Sequence, residues 1–483
     1  MLCGIVGVVL IWRPPTDHVA AQTPPPSSGE EMLPAPAKSP PHRWVGTASC
    51  GAASCHGRTA PPGSVGAEYT TFITRDPHAK AYEVLFDERS VRMAALLREE
   101  MQGRPAHESP WCLNCHAPSP QEFEPQAKTF DRSFGVGCEE CHGPASDWLN
   151  PHTTAAWQRR GWQEEDADYK FRFGMYNSKD LYQRAAYCPS CHVGMSGNHL
   201  THDMIAAGHP RLVFEFSSFH ERLPKHWRER RTAADPRPRD RDRYPDWDAR
   251  AWVVGQLLST AIAMDRFSAH TLYADDFPGS ERLEPEFSDF DCGACHQRVR
   301  PAGQPPTAGL PLRYGSLVPS EWSVSLLPQA LELAGVDVPD RRELLNAAAP
   351  FSGPNVTPTA ILGSTRRTIP RLGGLAERAA LQQLDPTAVR RVIREIVSAS
   401  DSETVGWDRA LQSALALQSL HRMLRSTQPQ ANDAAISRLI DDLVADVWPR
   451  ATNGKPADPG SAAAKFQRAR FAERLRELRD AIQ

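Results

Sequence analysis

The sequence predicts a mainly α-helical chain, and three observations carry that expectation. Alternating apolar and polar runs, the mark of half-buried strands, are scarce. Helical periodicity is clear in residues 79–86, 90–101 and 249–266. Beyond residue 310 the chain lacks cysteine and carries one amphipathic stripe after another. Its 483 residues, 40% hydrophobic and 23% charged, supply a large core and are enough for about two to four domains. Wholesale disorder and a multispanning membrane protein are thereby excluded. The 55 basic and 58 acidic side chains leave a net charge of -3, so no global field points to nucleic acid as a partner.

Residues 1–12, MLCGIVGVVLIW, are apolar but too short to span a bilayer unaided, and Val19-Ala20-Ala21 resembles a small-residue cleavage site. Residues 1–21 therefore read as a secretory signal peptide, although a basic leading segment is missing. An uncleaved N-terminal anchor, tethering the protein to the inner membrane, is the alternative. Cys3 lies inside the apolar run, not after it, so it does not read as a lipid attachment site. Residues 13–43 carry nine prolines, and 22–43 reads as a disordered tether. A folded body is expected from Trp44 to about residue 300. Within it, residues 228–243, RERRTAADPRPRDRDR, read as an exposed loop with a solvated surface. The Pro- and Gly-rich stretch 298–312 marks the boundary to a helical module at 313–483.

In that module Asp385 and Pro386 form a cap and first-turn pair, and Val389, Val392, Ile393, Ile396 and Val397 give the following helix one apolar face. Further stripes are Leu411, Ala414, Leu417 and Leu424; Ile436, Ile440, Leu443 and Val447; and Phe471, Leu475, Leu478 and Ile482. Helices of this kind pack on the first module or on a partner.

The cysteines carry the chemistry. Of the 11, ten fall into five close pairs: Cys50 with Cys55, Cys112 with Cys115, Cys138 with Cys141, Cys188 with Cys191, and Cys292 with Cys295. The second member of each is followed by a histidine: His56, His116, His142, His192 and His296. With 17 histidines in 483 residues, five such neighbours arise by chance roughly once in twenty million. C-x-x-C-H is the signature of covalent c-type haem attachment, in which two thiols add to the porphyrin vinyl groups and the adjacent imidazole meets the iron. CLNCH, CEECH, CPSCH and CGACH fit it, and CGAASCH has four residues between its cysteines instead of two. Structural zinc and disulfides are the competing readings. Zinc needs four ligands per site, and neither alternative explains a histidine after every pair.

Each iron needs a sixth ligand or leaves that position open. A second imidazole suits one-electron transfer, and an open position suits catalysis on a small ligand. His78 in RDPHAKAY sits where Asp76 and Pro77 would start a helix. His152 follows CEECH by ten residues, and His202 and His209 frame HDMIAAGH, with Asp203 a carboxylate partner for His202. These four are the distal candidates. His107, His199, His220, His226 and His270 read as ordinary polar or interface histidines, and His421 as a core histidine on an apolar stripe.

Residues 44–297 resemble the multihaem cytochromes of the cytochrome c-554 type (cytochrome c-552/4 domain). The resemblance rests on VGTASCGAASCHG, DPHAKAY, WCLNCHA, GVGCEECHGPASDW, YCPSCHVG, HDMIAAGHPRLVFEF and FDCGACH. It implies a mainly helical module with much irregular backbone, periplasmic electron transfer, haem c at the ten paired cysteines, iron ligation by the five following histidines, and distal ligation by His78, His152, His202 and His209. The chain differs from the type member in having five motifs instead of four, in the long first spacing, and in Gln297 after His296. The sixth ligand of the haem at Cys292 and Cys295 stays open. A compact body of some 250 residues is only about 40 Å across, so five haems within it lie close together.

The expected function is a periplasmic multihaem electron carrier serving redox partner proteins. The alternatives are a haem-dependent oxidoreductase acting on a small nitrogen or sulfur species at one open haem, and an electron-transfer subunit docked in a larger redox complex through the C-terminal helices.

Overall fold

The computed structural model describes residues 42–118, 127–160, 169–195, 198–230, 240–275, 286–290, 292, 296, 320, 322–348, 358–401, 405–450 and 457–482. The expected signal peptide, the Pro- and Gly-rich stretch 298–312 and Cys295 fall outside these residues. Within them the chain is mainly helical, and extended pairing occurs as an isolated bridge between Met195 and Asn198. None of the described helices is long and apolar enough to cross a membrane.

The first half is built from short helices joined by irregular backbone: Glu68–Arg75, Glu88–Leu96, Pro110–His116, Cys138–His142, Ala155–Arg159, Leu181–Pro189, His202–Ala207 and Phe216–Arg222. The periodic segment 79–86 forms two 3-10 turns, Pro77–Lys80 and Glu83–Phe86, not one α-helix. The carbonyl of His78 explains the difference. It accepts from Ala81 three residues on and from Val136 of a remote loop, both at 3.1 Å, and so is not left for an α-helical turn.

Apolar cores in this half are small. One gathers Leu85, Met93, Leu97, Leu113 and Met204; another gathers Ala145, Trp148, Trp157 and Phe173. Polar ties replace missing apolar burial. The Glu139 carboxylate, buried beneath the third motif, accepts the amides of Val45 (2.9 Å), Gly46 (2.6 Å) and Ala145 (2.8 Å), pinning the N-terminal segment to that motif.

The second half is a helical bundle around Trp247–Asp275. That helix buries Ala249, Trp252, Val253, Val254, Leu257, Leu258 and Ala261 together with the polar Asp248, Arg250, Gln256 and Thr260, so its first half has protein on every side. Pro358–Leu381, Trp407–Thr427 and Leu327–Leu333 pack against it, as do Leu181–Pro189 and Phe216–Arg222 from the cysteine-bearing half. One continuous apolar core therefore runs from Leu181 to Leu478. Asp385 caps Pro386–Ser400 through the amides of Thr387 and Ala388, and Val389, Val392, Ile393, Ile396 and Val397 are buried as the stripe requires.

Ion pairs reinforce the junction. Arg211 forms a bidentate pair with Asp408, with both N–O distances within 2.9 Å. Asp248 receives both Arg422 and Arg241, and Arg241 also meets Glu221 and Glu229. The charge-rich segment expected to be solvated thus folds back at its end. Arg241 leaves only 12% of its side chain exposed, because three carboxylates surround it.

Candidate haem-binding site

The helical turn explains the local geometry of the motifs. In Pro110–His116 and Cys138–His142 the two cysteines and the histidine follow one another within one to two turns. At the fifth motif the His296 amide bonds to the Cys292 carbonyl at 2.8 Å. The fourth motif bridges the end of Leu181–Pro189 and a π-type turn, Ser190–Gly194. The longer CGAASCH loop closes differently. Cys55 and Gly57 both donate to Ala52, and the His56 amide still reaches the Cys50 carbonyl at 3.3 Å, so the two extra residues are absorbed in a local turn. Gly143, after His142, has φ 83°, and a Cβ there would lie 2.0 Å from the Gly174 carbonyl oxygen, which accounts for the glycine in CHGP.

Every motif histidine faces a second imidazole from elsewhere in the chain. His56 faces His152 with ring centroids 6.2 Å apart, His116 faces His209 at 6.2 Å, His142 faces His226 at 6.2 Å, His192 faces His78 at 6.0 Å, and His296 faces His202 at 6.1 Å. Two metal–nitrogen bonds of about 2 Å, with a ring radius of about 1.1 Å at each end, put the centroids of trans imidazoles about 6 Å apart. Each of the five gaps fits a single metal ion held between two imidazoles. The rings are nearly parallel in the His56/His152 and His202/His296 pairs, at 14° and 22°, and crossed in the other three, at 71°, 81° and 88°.

Sequence reasoning missed His226. It sits in a loop with no cap, helix or neighbouring motif to single it out, and only the tertiary fold carries it to His142. The remaining histidines have other partners. His220 is buried and meets Arg184 at 3.2 Å, His107 stacks on Phe86, and His421 contacts Ser437 at 3.2 Å in the bundle core. His199 and His270 meet Nε2 to Nε2 at 3.0 Å, too close for a metal ion between them. Asp203 stands 3.9 Å from the His202 ring, beyond hydrogen-bond length; the His202 amide instead donates to Glu286 at 2.7 Å.

The Nδ1 partners fix ring orientation. His56 meets the Glu68 carboxylate at 2.9 Å and His78 the Asp76 carboxylate at 2.9 Å. His116 donates to the Ala81 carbonyl at 2.9 Å, His209 to Pro210 at 2.7 Å, and His152 to Leu149. His142 meets the Ser178 hydroxyl at 3.3 Å, and Nδ1 of His226 is buried without a partner. Burial pushes His142 and His192 down to about 4 and lowers His116, His152, His209 and His226, so these rings are neutral near pH 7, as metal ligation requires. His56 is shifted upward by its bond to Glu68.

Zinc fits poorly on geometry: among the described residues no group of three or more His, Cys, Asp or Glu side chains comes together as a zinc site requires. Burial pushes the Cys141 and Cys188 thiols up to about 12, while hydrogen bonds from neighbouring thiols lower Cys50 and Cys191. Cys141 lies deep in the protein yet keeps open surface, as the wall of a crevice does. Cys50, Cys55, Cys112, Cys115, Cys138, Cys141, Cys188 and Cys191 are free of disulfides. Different motifs pack together: the Cys138 amide donates to the Thr47 hydroxyl beside the first motif at 3.2 Å, and the Asn198 side chain reaches both Cys115 and Cys191.

Paired thiols beside opposed imidazoles are the ligand set of a c-type cytochrome, and comparison with known proteins agrees. Residues 49–143 match the family model described as cytochrome c554 and c-prime, a stretch that holds the first three motifs and His78. Over that stretch, about a fifth of the chain, the sequence is similar to the haem-binding, electron-transfer cytochromes of the c554 family. The fourth and fifth motifs, His152, His202, His209 and His226 lie beyond the match. No curated protein and no solved structure matches the chain.

Proposed function

We propose that the chain is a periplasmic electron carrier holding five haems c, bound through Cys50/Cys55, Cys112/Cys115, Cys138/Cys141, Cys188/Cys191 and Cys292/Cys295. His56, His116, His142, His192 and His296 would be the proximal ligands, with His152, His209, His226, His78 and His202 opposite them in that order. The observation that carries this reading is the fivefold recurrence of an imidazole pair 6.0–6.2 Å apart, each pair containing the histidine of one motif. Bound haem supplies a one-electron ferric/ferrous couple.

The protein's part is to hold each ring in place, exclude competing ligands and adjust the couple. A second imidazole at every motif favours electron transfer over catalysis at an open iron, because the place a substrate would take would already be filled. The C-terminal helices share one core with the segments carrying Cys188, Cys191 and His192, which favours their completing the fold over their serving as a separable docking module. The test is a haem count by pyridine haemochrome together with EPR of the exported protein. Five haems, all low-spin, are expected. Absence of covalent haem would overturn the reading, and a high-spin component that shifts on adding nitrite or hydroxylamine would turn it into an enzyme.

A further inference from the structure

The ten facing imidazoles differ in what holds their outer nitrogen, and the difference is largest between two motifs that touch. The first and third motifs are in contact: the Cys138 amide donates to the hydroxyl of Thr47, three residues before Cys50, at 3.2 Å. At the first, His56 gives its Nδ1 proton to Glu68 at 2.9 Å, and Glu68 is braced by the Gly66 amide at 3.1 Å. At the third, His142 has only the Ser178 hydroxyl at 3.3 Å, and the buried Nδ1 of His226 has no partner. The motif's own carboxyls do not offset this, and Asp76 and Glu68 reach His226 through their charge alone, without a hydrogen bond to its Nδ1. Glu139 spends both oxygens on the amides of Val45, Gly46 and Ala145, and Glu140 is turned to backbone amides including that of Gly137.

An imidazole whose outer N–H is held by a carboxylate takes on imidazolate character, donates more strongly to the metal and stabilises the more oxidised ion. An imidazole with an unpartnered outer nitrogen in a buried site does neither. We propose that Glu68 makes the first haem site the electron-rich member of this touching pair and the third site its acceptor, so that an electron entering the pair comes to rest at the third. The step moves one electron: the first iron is oxidised, the third is reduced, and no bond or proton moves. The electron comes from a low-potential one-electron donor protein. This rests on the proposed haem binding and adds to it a direction.

The test is an EPR-monitored redox titration of the full holoprotein. Nearly parallel axial rings give rhombic low-spin signals and crossed rings give strongly anisotropic signals of large g. The angles above therefore assign the first and fifth sites to the rhombic class and the other three to the large-g class. Loss of a rhombic component in His152→Ala labels the first site, and loss of a large-g component in His226→Ala labels the third. In the wild type the third-site component is expected to titrate at the higher potential.

Glu68→Gln removes the charge and leaves a single acceptor oxygen where Glu68 offers one to His56 and another to Gly66. Removal of such a partner changes metal binding by roughly 10–100-fold. As a loss of ferric preference this raises the first-site potential by about 60–120 mV, at 59 mV per tenfold for one electron, with a smaller shift at the third site, which Glu68 reaches only through its charge on His226. Asp76→Asn, at His78, is expected to raise one large-g component and leave both rhombic ones in place. A Glu68→Gln protein with five haems and an unmoved first-site potential overturns the proposal, as does a wild-type third site titrating below the first; the latter needs no Glu68 variant. Absence of haem from the wild-type protein overturns instead the function on which the proposal rests.

Discussion

Replacing His226 by alanine is the sharpest test of the site, because no sequence signal marks that residue. Its ring stands 6.2 Å from His142 at 71°, and the other described imidazoles nearest to it have partners of their own. His220, six residues earlier, is tied to Arg184, while His78 and His152 already face His192 and His56. The variant should therefore leave one of the five irons without its distal ligand. The low-spin EPR intensity should fall by about one fifth, entirely from the large-g class, with a matching high-spin signal that shifts on adding cyanide or nitric oxide. His220→Ala, a buried control, should change none of these signals. Both rhombic components should survive in both variants. Unchanged low-spin intensity in His226→Ala, or loss of a rhombic component instead, would refute the pairing of His226 with His142.

Other expectations concern the scaffold. Glu139→Ala strands the amides of Val45, Gly46 and Ala145; at about 1–3 kcal/mol per buried unpaired group the cost should be several kcal/mol, read from urea unfolding followed by the Soret band, with Glu139→Gln milder. Arg250→Ala leaves Asp246 buried without its bidentate partner, the two side chains being only 3% and 4% exposed, and should cost about 3–5 kcal/mol in the same assay. Leu257→Ala, in the centre of the long helix, should cost about 2–5 kcal/mol. Burial holds His421 below its usual value of 6.5, so the unfolded chain takes up a proton there before the folded one. Stability is then fully present above pH 6.5 and falls as pH drops below it, by up to about 1.4 kcal/mol per pH unit. His421→Gln should flatten that part of the acid limb, and an unchanged slope would show that other groups govern it.

Legibility tracked how local each feature is. The cap at Asp385 and the stripe from Val389 to Val397 were readable because a helix is specified by neighbours three and four residues apart, and they fold as read. The 79–86 segment carried the same periodicity but became two tight turns, because the remote amide of Val136 claims the His78 carbonyl. Arg241 was read as solvated and is enclosed, since Asp248, on the following helix, and Glu221, twenty residues earlier, fold onto it.

At the candidate site the division is sharp. By itself the sequence marked out five cysteine pairs, each followed by a histidine, as candidate attachment motifs, because thiols and imidazole a few residues apart are brought together by one turn of backbone whatever the surrounding fold. Only the tertiary structure decided which distant imidazole faces each of them, at what ring angle, and which outer nitrogens meet a carboxylate, a carbonyl or nothing. His142 and His226 lie 84 positions apart in the chain. Contacts over such separations depend on how the whole chain packs, and no short-range pattern encodes them.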